Sequence, residues 1–530
     1  MPRIPHGASI PLEAFRNARA ALTAESADIP LAFAAAQPVD TQDFGFMFPE
    51  LQDDPNNLLP EAQETRDNLV LLGQTMRDTS GNDKAGDSKI PAAYTYFGQF
   101  VDHDITLETT SADLPTLISP DLKPLPLDDI QDNIRNIRSA TLDLDSVYGL
   151  LAPRAGAKME IGQVTPLNGT SKPVLRPPGK GDDNDLKREP RSADIAHDRA
   201  ALIGDPRNDE NTIVAQLHLA FLKAHNELVD TGRSFKRASK VLRQHYQYIV
   251  LHDFLKRIAD PRIVKDTIKK GNKVFDAMAD PFFMPLEYAV AAYRFGHSMV
   301  RKDYDFNLNF NTSGEPGTIP ATLDLLFTFT ALSGELGFGG GTDTLPDNWI
   351  VEWPNLIDSG KSFTKARLID TKLVEPLFEL RDLIGNVEPG EGARLAVRNL
   401  LRGYLLRIPT GQAVAQTLKD KLAGIREIPV LTPAQIIEGA ANDQQVQVLQ
   451  DCGFLERTPL WYYILAEAAL LGNGQHLGPV GSTIVAEVLV GMVRRSNNSI
   501  LHVKGWKPFL PSARPKSFKL ADLLRFAKVL

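Results

Sequence analysis

The sequence predicts a mainly α protein: one large helical domain with long surface loops and little β structure. Three features carry that prediction. Apolar residues recur with helical period through most of the chain, convincing alternating strands are few, and the connections are long and rich in proline and glycine.

Taken in order, residues 1–50 read as an N-terminal arm, with prolines and polar residues across 27–65 suggesting an extended segment lying on a surface. Residues 51–495 form the main domain, and 496–530 a C-terminal tail packed on it or extending from it. In 211–230 the residues Ile213, Leu217, Ala220, Phe221, Ala224 and Leu228 share one helix face. A broader stripe (Val241, Leu242, Tyr246, Ile249, Val250, Phe254) predicts a helix over 237–259. Helices are also expected over 286–300, 373–384, 393–405, 433–448, 461–471 and 484–493. Pro285 stands at a first helical position, where its missing N–H costs nothing. The glycine run 337–341 follows no strand and precedes no P-loop lysine, so it reads as a loop rather than a phosphate cradle.

Composition narrows the function. With 530 residues, 43% hydrophobic and 23% charged, the chain is globular in kind. A net charge of −8 without a long basic run argues against nucleic-acid partners. The single cysteine, Cys452, excludes an internal disulfide framework, a cysteine-ligated zinc site and an iron–sulfur cluster. The two most apolar stretches are interrupted by Glu467 and Glu487 and fall short of the roughly 20 residues that cross a bilayer, so no transmembrane segment is expected. No apolar signal region is visible at the N-terminus, which leaves a cytoplasmic location or export by a non-classical route.

Three stretches carry chemistry. FGQFVDHD (97–104) ends an aromatic segment with Asp102, His103 and Asp104. DPRNDE (205–210) is a charged turn before a helix, where Asn208 or Asp209 would also serve as an ordinary cap. YRFGHSM (293–299) sets His297 on an apolar helix, a position more often filled by a hydrogen-bonded core histidine than by a ligand. Ser139, Thr141, Asp143 and Asp145 place an oxygen-bearing side chain at every second position, which suits a hard cation as well as the polar face of a strand.

Together with SATLDLDSVYG (139–149) and RNLLRG (398–403), these stretches resemble, in the same order, the animal-type haem peroxidases of the peroxidase–cyclooxygenase superfamily, particularly bacterial members. The resemblance spans roughly residues 50–490. It implies a haem peroxidase that reduces hydrogen peroxide through a ferryl intermediate and oxidises a small donor: bromide, iodide, thiocyanate or a phenol. By the same resemblance His103 is the distal histidine, Arg207 the distal arginine and Gln99 a pocket glutamine. His297 is the proximal ligand of haem iron and Asn399 the acceptor of its Nδ1 proton, while Arg294 and Arg402 pair with the haem propionates. Asp102 and Glu210 match the carboxylates that form ester links to haem, whereas Asn211 cannot make the sulfonium link of relatives with Met there. Calcium is implied at Asp104, Ser139, Thr141, Asp143 and Asp145.

The chemistry these roles require suits the residue types. Peroxide cleavage needs a neutral base that takes a proton from one oxygen and returns it to the other, and a fixed cation nearby. The main alternative is a haem-dependent fatty-acid dioxygenase. Those enzymes carry a tyrosine three residues before the proximal histidine, where this chain has Arg294; Tyr293 is one residue off and expected to face about 100° away. A third reading is a calcium-stabilised interaction protein without activity, against which the pairing of His103 with Arg207 speaks.

Overall fold

The computed structural model describes residues 42–530 apart from 81–83, 110–112, 140, 150–151, 173, 195–196, 329, 331–341 and 383–385. The arm before residue 42 and the glycine run 337–341 lie outside the described residues. Helices dominate the rest, as the apolar period requires, among them α1 Gln63–Thr75, α2 Ala93–Ile105, α3 Thr212–Asp230, α4 Phe235–Ile249, α5 Leu395–Leu405, α6 Leu460–Leu471, α7 Pro479–Arg495 and α8 Leu520–Phe526, with further helices such as Pro261–Lys270 and Gly411–Lys421 between them.

Helix α2 explains how the core and a site share one element. Phe97, Phe100, Val101 and Asp104 fall at i, i+3, i+4 and i+7, and so do Gln99, Asp102, His103 and Thr106, about 160° away around the axis. The first face packs on α3 and α4: Phe100 stacks on Phe221 with ring centroids 4.7 Å apart, and Tyr246 meets Phe221 edge-on at 5.7 Å. Phe254 meets Phe97 edge-on at 5.5 Å. Offset and edge contacts of this kind are worth roughly 0.5–1.5 kcal/mol each beyond the burial of the rings. The second face is left for the cavity described below.

The β structure is confined to small sheets. The largest has four strands in the order β2 (Glu108–Thr109), β3 (Arg135–Asn136), β1 (Gln42–Gly45), β4 (Phe283–Pro285), with β1 antiparallel to β3 and parallel to β4. Gly45 is required there, because a Cβ would stand 2.7 Å from the Phe283 ring. Beyond β1, the buried Glu287 carboxylate accepts the amides of Met47 and Phe48 at 2.7 and 3.1 Å. At the other end of the chain α8 packs on α3, with Leu520, Leu523 and Leu524 buried and the Leu520 amide donating to Asp253 at 3.0 Å.

Several expected helices are wound or bounded differently. The 237–259 stripe holds α4, a π turn at Val250–Phe254 and a last α turn at Leu255–Ile258. The 286–300 stretch is a π turn at Glu287–Ala291 followed by a 3-10 helix at Ala292–Met299, and Pro285 closes β4 instead of opening a helix. Residues 373–384 do not form a helix. Leu373–Val374 pairs in parallel with Arg77–Asp78, and only the short 3-10 turn Glu375–Phe378, with Pro376 as its second residue, follows. The 433–448 period is split into Pro433–Glu438 and Asp443–Asp451, because Asn442 caps the second piece through the Gln445 amide.

The two apolar stretches with single glutamates are α6 and α7, and among the described residues no helix is long and apolar enough to cross a membrane. Glu487 of α7 accepts the amides of Lys273, Val274 and Phe275 at 2.9, 3.1 and 3.3 Å. Glu467 of α6 accepts those of Val480 and Gly481 at 3.0 and 3.3 Å, fastening the first turn of α7. Burial drives the Glu467 carboxyl from its ordinary 4.5 up to about 8, against the pull of those two amides. The folded chain therefore holds this proton over a pH range in which the unfolded chain has lost it. The resulting stability is full at and below the unfolded value and falls as pH rises through the folded one. Relative to Glu467→Gln, which has no proton to lose, the wild type is expected to lose up to about 1.4 kcal/mol per pH unit across that range. Thermal unfolding of both proteins between about pH 5 and pH 8.5 checks this; a constant difference would show the carboxyl already ionised throughout.

Candidate active site

The free face of α2 opens on a cavity with about 1430 Å³ of empty space. Gln99, Asp102 and His103 line it from α2, Arg207, Glu210 and Asn211 from the turn before α3, Arg294 and His297 from the 3-10 segment, and Arg402 from α5. The winding of that segment matters. With three residues per turn, residues three apart stack on one side, so Arg294 and His297 border the same space. Tyr293 also lines the cavity, contrary to the expectation that it turns away, and its hydroxyl donates to the Gly98 carbonyl at 3.2 Å.

His103 is 5% exposed, and its Nδ1 lies 2.9 Å from Asn208 Oδ1. An amide oxygen accepts only, so Nδ1 carries the proton and Nε2 is left as the basic nitrogen. Asn208 in turn reaches His218 Nδ1 at 3.0 Å, which fixes its carboxamide. Burial, followed by the charge of Arg207, lowers His103 to about 4, so the ring is neutral at pH 7.

Arg207 keeps its charge. Burial opposes it, but Asp205, with a carboxylate oxygen 2.7 Å away, overrides that and holds the guanidinium above its usual value. Asp205 also pairs with Arg138; burial raises its carboxyl, yet the two arginines carry it well below the usual range. Nη2 of Arg207 further donates to the carbonyls of Thr106 and His103, at 2.6 and 3.2 Å. The cation is therefore tied to the end of α2 that bears His103.

Around these two residues the polar groups interlock. Gln99 donates to Glu210 at 3.0 Å and accepts from Asn211 at 3.1 Å, while Asp102 accepts from Thr106 Oγ1 at 2.9 Å. Asn211 is the cap of α3, through the Val214 amide at 3.0 Å. That role does not fall to Asn208, which is committed to the histidines, or to Asp209, which pairs with Arg188 at 2.6 Å.

Behind the cavity Asn399 Nδ2 lies 2.8 Å from His297 Nδ1, so the carboxamide as placed donates to that nitrogen instead of accepting its proton; turned over, the same carboxamide presents Oδ1 and accepts. Arg294 donates to the Ala289 carbonyl at 3.1 Å, and Arg402 pairs with Glu108 at 3.2 Å. Burial lowers Arg294, Asp102 partly offsets this, and Arg402 lowers it further. The two arginines thus repel each other while the Asp102 and Glu108 carboxylates stand beside them.

Near α2, Ser139 and Thr141 hydroxyls donate to Asp143 at 3.0 and 2.8 Å, and Asp145 accepts the Ser139 amide at 2.9 Å. The fully buried Asp104 accepts the amides of Leu144 and Ser146 at 3.2 and 3.3 Å. The segment is a turn leading into a short helix and not a strand. Burial and then Asp145 push Asp104 to about 7, and Asp143 is raised by the same two causes. Among the described residues no group of three or more His, Cys, Asp or Glu stands at metal-ligating spacing.

The animal haem peroxidase family profile matches residues 119–331, which include Ser139–Asp145, Arg207, Glu210 and His297. Over that span, about two fifths of its length, the chain is similar to the animal haem peroxidases. It is 28% identical over 258 residues to a peroxidase-like protein of Margaritifera margaritifera, covering 40% of this chain and 32% of that protein. To thyroid peroxidase of Mus musculus it is 23% identical over 297 residues, 54% of this chain and 29% of the relative. The matched part is thus about a third of each relative's length. In three dimensions the chain is similar to peroxidase A of Dictyostelium discoideum (TM-score 0.53, 18% identity, 81% of this chain and 83% of that one). It is also similar to an Oryza sativa fatty acid alpha-dioxygenase with palmitic acid (TM-score 0.50, 14% identity, 89% and 78%), and both likenesses concern the fold.

Asn208, Asp205 and Glu108 are the site residues that sequence reading did not single out. The first two sit inside DPRNDE, but only their distances to His103 and Arg207 distinguish them from a cap. Glu108 follows FGQFVDHD by four residues and carries no local signal.

Proposed function

We propose that the protein is a haem peroxidase that reduces hydrogen peroxide and oxidises a small electron donor. The observation that carries this reading is the meeting in one cavity of a neutral histidine held by Asn208, an arginine fixed by Asp205, and a second histidine backed by Asn399. The donor set fits haem: His297 Nε2 for the iron, Arg294 and Arg402 for the propionates, Asp102 and Glu210 near enough to the same space to form esters. Bound there, haem iron supplies the redox chemistry that accepts two electrons' worth of oxidation from peroxide and passes it to the donor.

The chain's own residues handle protons and charge. Nε2 of His103 takes the proton of one peroxide oxygen and delivers it to the other, which leaves as water. Arg207 stabilises the negative charge that develops as the O–O bond separates, and it does so without titrating. Gln99 places an amide beside Glu210 and Asn211 for a water or a halide. With a phenol as donor, two one-electron oxidations and two further protons would complete the conversion to a second water; bromide, iodide or thiocyanate would instead take the second oxygen and leave as the hypohalous acid or hypothiocyanite. The test is the absorption spectrum of the purified protein before and after one equivalent of peroxide. A Soret band that shifts supports the reading, and a colourless protein that takes up no haem overturns it. Acid–acetone extraction of the same sample reads whether Asp102 and Glu210 hold the haem covalently.

Tyr293, by bordering the cavity, favours fatty-acid oxygenation as the second reading. Oxygen uptake with palmitate that disappears in Tyr293→Phe, alongside negligible peroxidase turnover, would put it first.

Calcium belongs to the same proposal. Burial and the neighbouring Asp145 raise the cost of ionising Asp104 and Asp143, and Ser139 and Thr141 add neutral oxygens, so a divalent cation would relieve the repulsion and be ligated by hard donors. Because Asp104 adjoins His103, chelation or Asp143→Ala is expected to lower the melting temperature and the peroxidase rate together. Metal analysis of active enzyme settles it: activity with no calcium present would remove the ion from the reading.

A further inference from the structure

A second, separate cavity lies at the C-terminal end of α5, with about 760 Å³ of empty space and no lining residue in common with the first. Its walls combine apolar side chains (Leu58, Leu59, Ile408) with two arginines, Arg407 and Arg457, and the Tyr404 hydroxyl. Arg457 uses Nη2 to hold the carbonyls of Pro55 and Leu58, yet its Nε is buried without an acceptor. The Nε of Arg407 is buried without an acceptor as well. Among the described residues no side-chain hydrogen bond or ion pair is formed by the Arg407 guanidinium, although Glu61 borders the same cavity.

The backbone under Arg407 is unusual. Its φ of +54° is in the left-handed region, where a side chain with a Cβ is disfavoured. The conformation is held by its amide on the Tyr404 carbonyl at 3.1 Å, by the Ile408 amide on Gly403 at 2.9 Å, and by Gln52 donating to its carbonyl at 3.1 Å. A cation near a helix C-terminus is favourable in itself, but that benefit needs neither a left-handed backbone nor a cavity. The two Nε groups are closed off inside the protein, so an occupant of the cavity meets the Nη edges, where a guanidinium without a side-chain partner is matched by a planar anion.

We infer that this cavity binds a small organic carboxylate with an apolar body, its carboxylate on Arg407 and Arg457 and its aromatic or short aliphatic part against Leu58, Leu59 and Ile408. The apolar walls favour such a molecule over inorganic phosphate. Helix α5 also carries Arg402 to the first cavity and Asn399 to His297 behind it, so an occupant here sits at the end of the element that backs His297.

Calorimetric titration of the full-length protein with benzoate, benzamide and inorganic phosphate tests this. Benzoate is expected to bind one saturable site and raise the melting temperature, with benzamide and phosphate at least about tenfold weaker, since the one lacks the charge and the other the apolar body. Arg407→Gln, which removes an unsatisfied donor, should fold with an undiminished melting temperature and bind benzoate at least about tenfold more weakly. Leu59→Trp, which fills the cavity while keeping both arginines, should block binding. Absence of benzoate binding in the wild type overturns the inference. So does binding unchanged in both variants, which would place the molecule elsewhere, the first cavity included.

Discussion

His297→Ala is expected to yield protein that takes up little or no haem and turns over no peroxide. His297 is the histidine on the 3-10 segment that both lines the cavity and is held from behind, by Asn399 at 2.8 Å. A metal-binding imidazole is oriented by what its other nitrogen meets, and loss of such an orienting partner alone typically costs 10–100-fold in metal affinity or activity. Loss of the ligand itself costs more. Asn399→Ala should therefore be the milder variant, retaining haem with a changed reduction potential. Haem content by pyridine haemochrome and peroxidase rate on the same preparations separate the two. Full haem content and normal turnover in His297→Ala would refute the assignment.

The second large effect is kinetic. His103→Ala should slow the reaction with peroxide by roughly 10²–10⁴-fold, the usual loss for a general base, while haem remains bound. Arg207→Ala should also slow it, for a different reason: the charge is removed while the proton acceptor stays. The two losses should not add, because Arg207 Nη2 is anchored on the His103 and Thr106 carbonyls and its removal loosens the end of α2 that carries the base. Stopped-flow rates at several peroxide concentrations measure each variant and the pair. Rates within a factor of a few of wild type in His103→Ala would show that the proton is moved by another group.

Much of this was legible from the chain because motifs carry residue types in a required order. FGQFVDHD contains two interleaved faces of one helix, and its aromatic positions already place Gln99, Asp102 and His103 on the other side. Tyr293 shows the limit. Its neighbour spacing to His297 is plain in the sequence, but which way it faces depends on whether the segment winds with 3.6 residues per turn or three, and that is decided by packing against α2 and α6. The 373–384 segment shows the same thing for secondary structure. Its apolar period is genuine, yet pairing with Arg77–Asp78 drew its start into a strand, followed by a short turn.

The sequence by itself determined the helical class, the buried character of the Glu467 and Glu487 stretches, and the likeness to the animal haem peroxidases, since periodicity, single polar interruptions and ordered motifs are all local properties. Only the tertiary structure decided which polar groups meet: Asn208 with His103, Asp205 between Arg138 and Arg207, Glu108 with Arg402, and Arg407 with Arg457 around a second cavity. The physical reason is that the tautomer of a histidine and the charge of a buried arginine depend on neighbours within about 3 Å, which lie up to some 400 residues away in the chain and leave no mark on its local pattern.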